Sequence, residues 1–93
     1  MLVRFLIDPD TELPHIFQHG VASEEVLDIL RGPADHGPGK EGTRMAEGQT
    51  RGGRYLRVIY KENELDGSIL VITAYDLGGK AKTAYRRRRR KRS

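Results

Sequence analysis

The stretch RYLRVIYKENELDGSILVITAYDL, residues 54–77, decides the fold of this 93-residue chain. Side chains alternate over residues 54–61, which predicts a strand with one face made of Tyr55, Arg57, Ile59 and Lys61. Asp66-Gly67 is a turn signal, and residues 68–77 are rich in the β-branched side chains that are typical of a buried strand. The stretch therefore predicts two neighbouring antiparallel strands in the middle of a sheet.

Two helices are predicted before these strands. The first covers residues 12–18, follows the turn residues Asp10 and Thr11, and ends at Gly20. The second begins with Ser23 as its N-cap and ends before Gly32. The two glutamates that follow Ser23 favour this start, because the positive end of the helix dipole attracts anions.

The other segments before residue 54 predict two strands and a loop. Residues 1–7 suggest a short strand or a fraying arm, residues 43–49 suggest a strand, and residues 33–42 are rich in Gly and Pro and predict a loop. The expected fold is therefore α+β, with two N-terminal helices packed on a three- or four-stranded antiparallel sheet and a basic C-terminal helix or tail.

Charge is distributed unevenly along the chain. Residues 1–50 hold four basic and nine acidic side chains, whereas residues 86–92 are seven consecutive cations. The net charge of +4 therefore comes from this one segment. We expect a single domain over residues 1–85 and a basic tail over residues 86–93, whose last part frays because neighbouring cations repel one another.

Such a block of arginines predicts binding to RNA or to another polyanion. A solubilising tail is the alternative, but solubility needs far fewer cations. Together with the arginines of the predicted sheet, the expected nucleic-acid-binding residues are Arg54, Arg57, Arg86, Arg87, Arg88, Arg89, Arg90, Lys91 and Arg92.

Composition excludes several classes of function. The chain has no cysteine, so disulfides, thiolate metal sites and thiol catalysis are excluded. His15 and His19 stand four residues apart, but no third ligand completes a zinc motif, and we expect neither a metal nor a cofactor. No apolar run approaches the length of a membrane span or a signal peptide, so we expect a cytoplasmic protein.

Two motifs resemble the BrnT-type toxins of the RelE superfamily. Residues 18–26, QHGVASEEV, resemble the HGV-x-x-x-E-(A/V) segment of those toxins. Residues 54–60 and 68–75 resemble their last two core strands, and also those of a related group of small bacterial domains of unknown function. The resemblance covers roughly residues 15 to 88.

The resemblance implies a metal-independent endoribonuclease of a toxin–antitoxin pair, acting on free or ribosome-bound RNA. Such an enzyme activates a ribose 2′-hydroxyl against the adjacent phosphate, which requires a base, an acid and cations. Arg57 stands where the family carries an arginine in its penultimate strand, and Tyr85 stands near the family's C-terminal tyrosine. His19, Lys61 and Tyr75 are further candidate catalytic residues.

The chain departs from the family in its last strand. BrnT-type toxins have I-S-A-R where this sequence has Ile72-Thr73-Ala74-Tyr75, and tyrosine cannot supply the missing positive charge. Either Arg86 or Arg88 replaces it, or the phosphate site is impaired. His19 has an alternative structural role at the end of its helix, and the face containing Arg57 has the alternative of an ordinary solvated surface.

Three functions therefore remain open. The first is the ribonuclease. The second is a non-catalytic module that binds RNA or another polyanion. The third is a protein-interaction domain that binds an antitoxin or forms a homodimer through an exposed strand edge.

Overall fold

The computed structural model describes residues 2–92, and Met1, Ser93 and the side chain of Arg92 lie outside this part. In chain order the elements are β1 (Val3–Phe5), a 3₁₀ helix (His15–His19), α1 (Ser23–Arg31), β2 (Asp35–Pro38), β3 (Arg44–Gln49), β4 (Tyr55–Glu62), β5 (Ile69–Asp76) and α2 (Gly79–Arg92). The strands predicted over residues 43–49, 54–61 and 68–77 are confirmed as β3, β4 and β5.

The protein is α+β, but the predicted arrangement is wrong. Its five strands form one mixed sheet in the order β1-β5-β4-β3-β2, in which β1 is parallel to β5 and the other neighbours are antiparallel. Residues 2–92 do not contain the predicted pair of N-terminal helices on an antiparallel sheet. α1 is the α-helix that precedes the central strands, and α2 follows them at the C-terminal end.

The two edge strands are short, and only β1 lies where the sequence allowed a strand, within residues 1–7. β2 reads Asp-His-Gly-Pro and lies inside the predicted loop of residues 33–42. It is a strand because it pairs with β3, from Asp35 opposite Glu47 to Pro38 opposite Arg44. β1 similarly depends on β5, since Val3 lies opposite Ile69. Tertiary pairing thus overrides local propensity at β2, whereas β1 agrees with one of the two predictions for residues 1–7.

The predicted first helix is a 3₁₀ helix of five residues. Its Ile16 is buried, whereas Phe17 is exposed, so a single apolar side chain anchors it. Gly20 ends it in a left-handed conformation with φ 67°, as the sequence predicted. α1 begins at Ser23 as expected, but Ala22 takes the N-cap position, and the Ala22 N–H donates to Glu25 Oε1 at 3.0 Å.

One face of the sheet packs against α1 and forms the core. We call it the α1 face, and its fully buried side chains include Leu56 and Val58 of β4. Val26 and Ile29 of α1 complete the core. A Cβ at Gly48 would lie 3.2 Å from Ile29 Cδ1, so the glycine permits the close approach of α1 to β3.

Arg54 ties the end of the sheet to the segments around α1. Its guanidinium pairs with Asp76 at 2.7 Å and with Glu25 at 3.0 Å, and Nη1 also donates to the Gly20 carbonyl at 2.8 Å. The hydrogen bond from Arg54 holds the pKa of Asp76 below its usual value. This arginine, predicted to bind nucleic acid, is therefore placed in a structural network, and its binding role stays a prediction.

We expect Leu56→Ala to lower the free energy of unfolding by ~2–5 kcal/mol, because the Leu56 side chain is fully buried and its removal leaves a cavity in the core. Chemical denaturation followed by circular dichroism measures this change. Leu65→Ala is the matched control, since Leu65 is 97% exposed and its loss should change stability by less than ~0.5 kcal/mol. Equal effects of the two substitutions would contradict the assigned core.

Candidate nucleic-acid interface

A row of polar side chains crosses the sheet on the side opposite α1, which we call the α2 face. The strand register places Asp35 opposite Glu47, Glu47 opposite Arg57, and Arg57 opposite Tyr75. Directly opposed residues of neighbouring strands point to the same side of a sheet. Four consecutive strands therefore bring two carboxylates, a guanidinium and a phenol into one line.

Glu47 is the centre of this row. Its residue is only 7% exposed, and one oxygen, Oε2, accepts hydrogen bonds from Arg57 Nε at 2.7 Å and Arg57 Nη2 at 2.5 Å. The hydrogen bonds that Glu47 and Tyr75 make with Arg57 raise the pKa of this guanidinium, although burial acts against them as the largest single influence. Arg57 is therefore a fixed cation on a partly covered face, and not the exposed side chain that the sequence predicted.

Helix α2 docks on this face through Arg88. Arg88 Nε donates to Asp35 Oδ2 at 2.8 Å, and Arg88 Nη2 donates to Glu47 Oε1 at 3.0 Å. Residues 86–92 belong to this helix, and the fraying predicted for the last part of the basic run stays a prediction. Ion pairs with strand carboxylates offset the repulsion among neighbouring cations.

Two tyrosines make a second contact between α2 and the sheet. The rings of Tyr55 and Tyr85 meet edge to face with centroids 5.8 Å apart, and Lys82 Nζ lies 4.9 Å from the centre of the Tyr55 ring. Burial raises the pKa of the Tyr85 hydroxyl above its usual value. Tyr85 is therefore a neutral, packed side chain, placed beside Tyr55 and not in the row that contains Arg57.

His19 lies at the other end of the row. Its ring centre is 6.1 Å from that of Tyr75 and 5.6 Å from that of His15. His15 Nδ1 is in turn 3.5 Å from a carboxylate oxygen of Asp8, a residue that is only 8% exposed. The structure thus brings together His19, Tyr75 and Arg57, three of the predicted catalytic residues.

Lys61 and Tyr85 are not part of that group. Lys61 is exposed and lies four residues beyond Arg57 on β4, about 13 Å away along an extended strand.

The cations of α2 divide into docking and exposed side chains. Arg88 is bound to the sheet, and Arg89 Nη1 donates to the Pro33 carbonyl at 3.0 Å. The exposed members of the run are Arg86, Arg87, Arg90 and Lys91. A positive surface is thus held in one orientation on the domain.

Sequence reasoning missed the acidic partners Asp35 and Glu47. Glu47 could have been found, because the short turn between β3 and β4 sets the register that places it opposite Arg57. The pairing of Arg88 with Asp35 has no sequence signal, since it depends on how a helix 53 residues later packs on the sheet. Among residues 2–92, no three His, Asp or Glu side chains are grouped as metal ligands.

None of the helices within residues 2–92 has both the length and the apolar character needed to cross a membrane.

We expect Arg88→Met to lower the free energy of unfolding by about 1–2 kcal/mol, because Asp35 and Glu47 lose a shared cation. The loss is smaller than for a fully buried pair, since the Arg88 side chain is 41% exposed. Amide hydrogen exchange should speed up in α2. Arg87→Met, an exposed change on the same helix, is the control, and an equal effect there would contradict the docking role.

No protein-family model matches this sequence, and a search of curated proteins finds no match either. Membership of the RelE superfamily therefore stays a prediction that rests on the two motifs described above.

Proposed function

We propose that this protein binds single-stranded RNA through the exposed cations of α2. The observation that supports the proposal most directly is the docking of α2 by Arg88, which presents Arg86, Arg87 and Lys91 on a fixed helix. Pre-organised cations bind a phosphate backbone with a smaller loss of conformational entropy than a flexible tail does. A cytoplasmic location is part of the proposal, because RNA and ribosomes are found there.

The charge balance of the α2 face also favours binding over chemistry. Arg57 and Arg88 are both engaged by the carboxylates of Glu47 and Asp35. A phosphate must therefore approach Arg57 from the side of Nη1, since Glu47 occupies Nε and Nη2. Among the described side chains, Arg86, Arg87 and Lys91 form no ion pair with these two carboxylates.

Single-stranded RNA is favoured over duplex nucleic acid by the tyrosines next to the arginines. Unpaired bases stack on aromatic side chains, whereas the bases of a duplex are already stacked on one another. The half-buried Tyr55 of β4 packs against Tyr85 of α2 and lies close to the arginines of that helix. The resemblance to BrnT-type toxins favours RNA as well.

A salt titration tests the binding proposal. Removing three phosphate contacts with the triple variant Arg86→Ala, Arg87→Ala and Lys91→Ala should weaken RNA binding and flatten the slope of log K against log salt by roughly 2, at ~0.7 for each contact. Fluorescence anisotropy with a labelled single-stranded RNA measures both quantities.

The control for this titration removes the same charge elsewhere. Arg4, Lys40 and Arg44 are exposed cations outside α2, and their combined replacement by alanine should leave the slope near that of the unaltered protein. If the control flattened the slope as much as the α2 variant does, binding would follow net charge alone and the proposed surface would be wrong.

Metal-independent RNA cleavage is a second candidate, supported by the grouping of His19, Tyr75 and Arg57. An imidazole can take the proton of a ribose 2′-hydroxyl near neutral pH, and Tyr75 can return a proton to the departing 5′-oxygen. Arg57 would stabilise the charge on the phosphorane. The products would be a 2′,3′-cyclic phosphate and a free 5′-hydroxyl.

Cleavage in the presence of a chelator, on free RNA and on translating ribosomes, tests this candidate. Tyr75→Phe should lower the rate by ~100-fold, because it removes a general acid and keeps the ring, and Arg57→Ala should abolish cleavage. His36→Ala is the control, since His36 lies on β2 and forms a hydrogen bond with Tyr60. Two strands, β3 and β4, separate β2 from β5, whose Tyr75 is next to His19. Cyclic phosphate formation that survives Arg57→Ala would exclude the assigned site.

We also propose an antitoxin partner, which the resemblance to BrnT-type toxins implies, and a homodimer that forms through an exposed strand edge.

A further inference from the structure

A cavity of about 310 Å³ lies between the C-terminal end of α1 and the arginine-rich part of α2. We call it the inter-helix cavity. Ile29 and Pro33 line it on the α1 side, Tyr85, Arg86 and Arg89 line it on the α2 side, and Tyr55 of β4 also contributes. The proposed phosphate surface of α2 borders this cavity but does not explain it.

The cavity exists because β2 is shorter than β3. Asp35, the first residue of β2, lies opposite Glu47, so Gly48 and Gln49 of β3 extend past the end of β2. Both residues line the cavity. A longer β2 would cover this part of β3. Because β2 is short, a recess remains here between α1 and α2.

The walls combine aromatic and apolar surface in a way that suits a flat ring. Tyr85 is 4% exposed and meets Tyr55 edge to face, so both rings are held in place by packing. Ile29 and Pro33 add apolar surface opposite them. Flat heteroaromatic groups bind in such sites by stacking and dispersion, with little ordering cost where the walls are already rigid.

One wall is cationic. Arg86, Arg89 and Arg90 have the i, i+3, i+4 spacing that brings side chains to one face of a helix. Arg89 is anchored by its hydrogen bond to the Pro33 carbonyl, which bridges the two sides of the cavity. A ligand with a ring in the cavity would therefore place its negative charge against this wall, at the exposed Arg86.

Polar groups for recognising a ring edge are also present. Gln49 donates from Nε2 to the Gly53 carbonyl at 3.2 Å, which fixes the direction of its amide. Amide and carboxylate side chains pair with the Watson–Crick edges of unstacked bases. Gln49 and Asp28 are the lining residues that can do so.

We infer that the inter-helix cavity binds one nucleotide, with its base between the two helices and its phosphate at Arg86 on the cationic wall. The cavity volume of about 310 Å³ is at the small end of the range for ligand pockets, which fits a single base. The inference rests on the proposed RNA-binding function and adds to it that the strand is held by one unstacked base. A single-stranded RNA is the favoured source of this nucleotide, because the exposed cations of α2 continue beyond the cavity.

The test compares three probes with the full-length protein. A labelled oligoadenylate carries bases and phosphates, an abasic strand of the same length carries phosphates alone, and free AMP carries one base and one phosphate. We expect the oligoadenylate to bind about tenfold more tightly than the abasic strand, within the range for stacking one base on an aromatic side chain.

Two variants locate the base. Tyr55→Leu should remove most of the tenfold difference and leave binding of the abasic strand unchanged, because the substitution keeps an apolar side chain and removes the ring. Phe17→Leu is the matched control, since Phe17 is an exposed aromatic residue on the 3₁₀ helix beside β5. It should preserve the difference.

A second pair of variants tests the site independently, in case the Tyr55 variant does not fold. Arg86→Ala and Arg87→Ala alter adjacent exposed residues, of which only Arg86 lines the cavity. Both substitutions should weaken binding of the abasic strand to a similar degree. Arg86→Ala should weaken AMP binding several-fold more than Arg87→Ala does.

The outcomes separate this inference from the function on which it rests. Equal binding of oligoadenylate and abasic strand by the unaltered protein would overturn the nucleotide site and leave the phosphate-binding surface intact. Absence of binding to every probe at low salt would overturn the proposed function itself. AMP binding as tight as oligoadenylate binding would support the site and identify a free mononucleotide as its source.

Discussion

The carboxylate of Glu47 is the interaction on which the α2 face depends. A nearly buried charge is strongly unfavourable unless it is paired, and Glu47 is paired with Arg57 of the adjacent strand and Arg88 of α2. The same group therefore reinforces the register of β3 against β4 and fixes the position of a helix that begins more than 30 residues later. Without it, Arg57 would lose its ion pair with Glu47, and Arg88 would keep its ion pair with Asp35.

This arrangement explains how a run of cations becomes part of a folded domain. Residues 1–50 have more acidic than basic side chains, and two of those acids, Asp35 and Glu47, are the sites where α2 docks. One arginine in the run neutralises the sheet, and its neighbours keep their charge at the surface. The uneven distribution along the sequence thus becomes complementary in space, with acids beneath the helix and cations above it.

Sequence reasoning predicted the central strands because their signals are local. The alternation around Arg57 and the β-branched run before Tyr75 each predict a strand from the local sequence alone, without knowledge of the neighbouring strand. β2 was missed for the opposite reason, since Asp35 to Pro38 has no strand propensity and depends on its hydrogen bonds with β3. The candidate site was partly predictable in the same way. Arg57 and Tyr75 come from the central strands, whereas the docking of Arg88 depends on packing that no local pattern encodes.

The pairing of β1 with β5 has a consequence for how the domain forms. Val3 lies opposite Ile69, so the parallel pair joins residues separated by most of the sequence and its closure carries a large loop entropy. During synthesis, β1 has no partner until residues 69–71 have left the ribosome, even though β3 and β4 can already form their hairpin. The N-terminal residues Leu2, Leu6 and Ile7, which remain partly exposed in the folded domain, are then uncovered for most of translation. The nascent chain is therefore most prone to aggregation just before its fifth strand emerges.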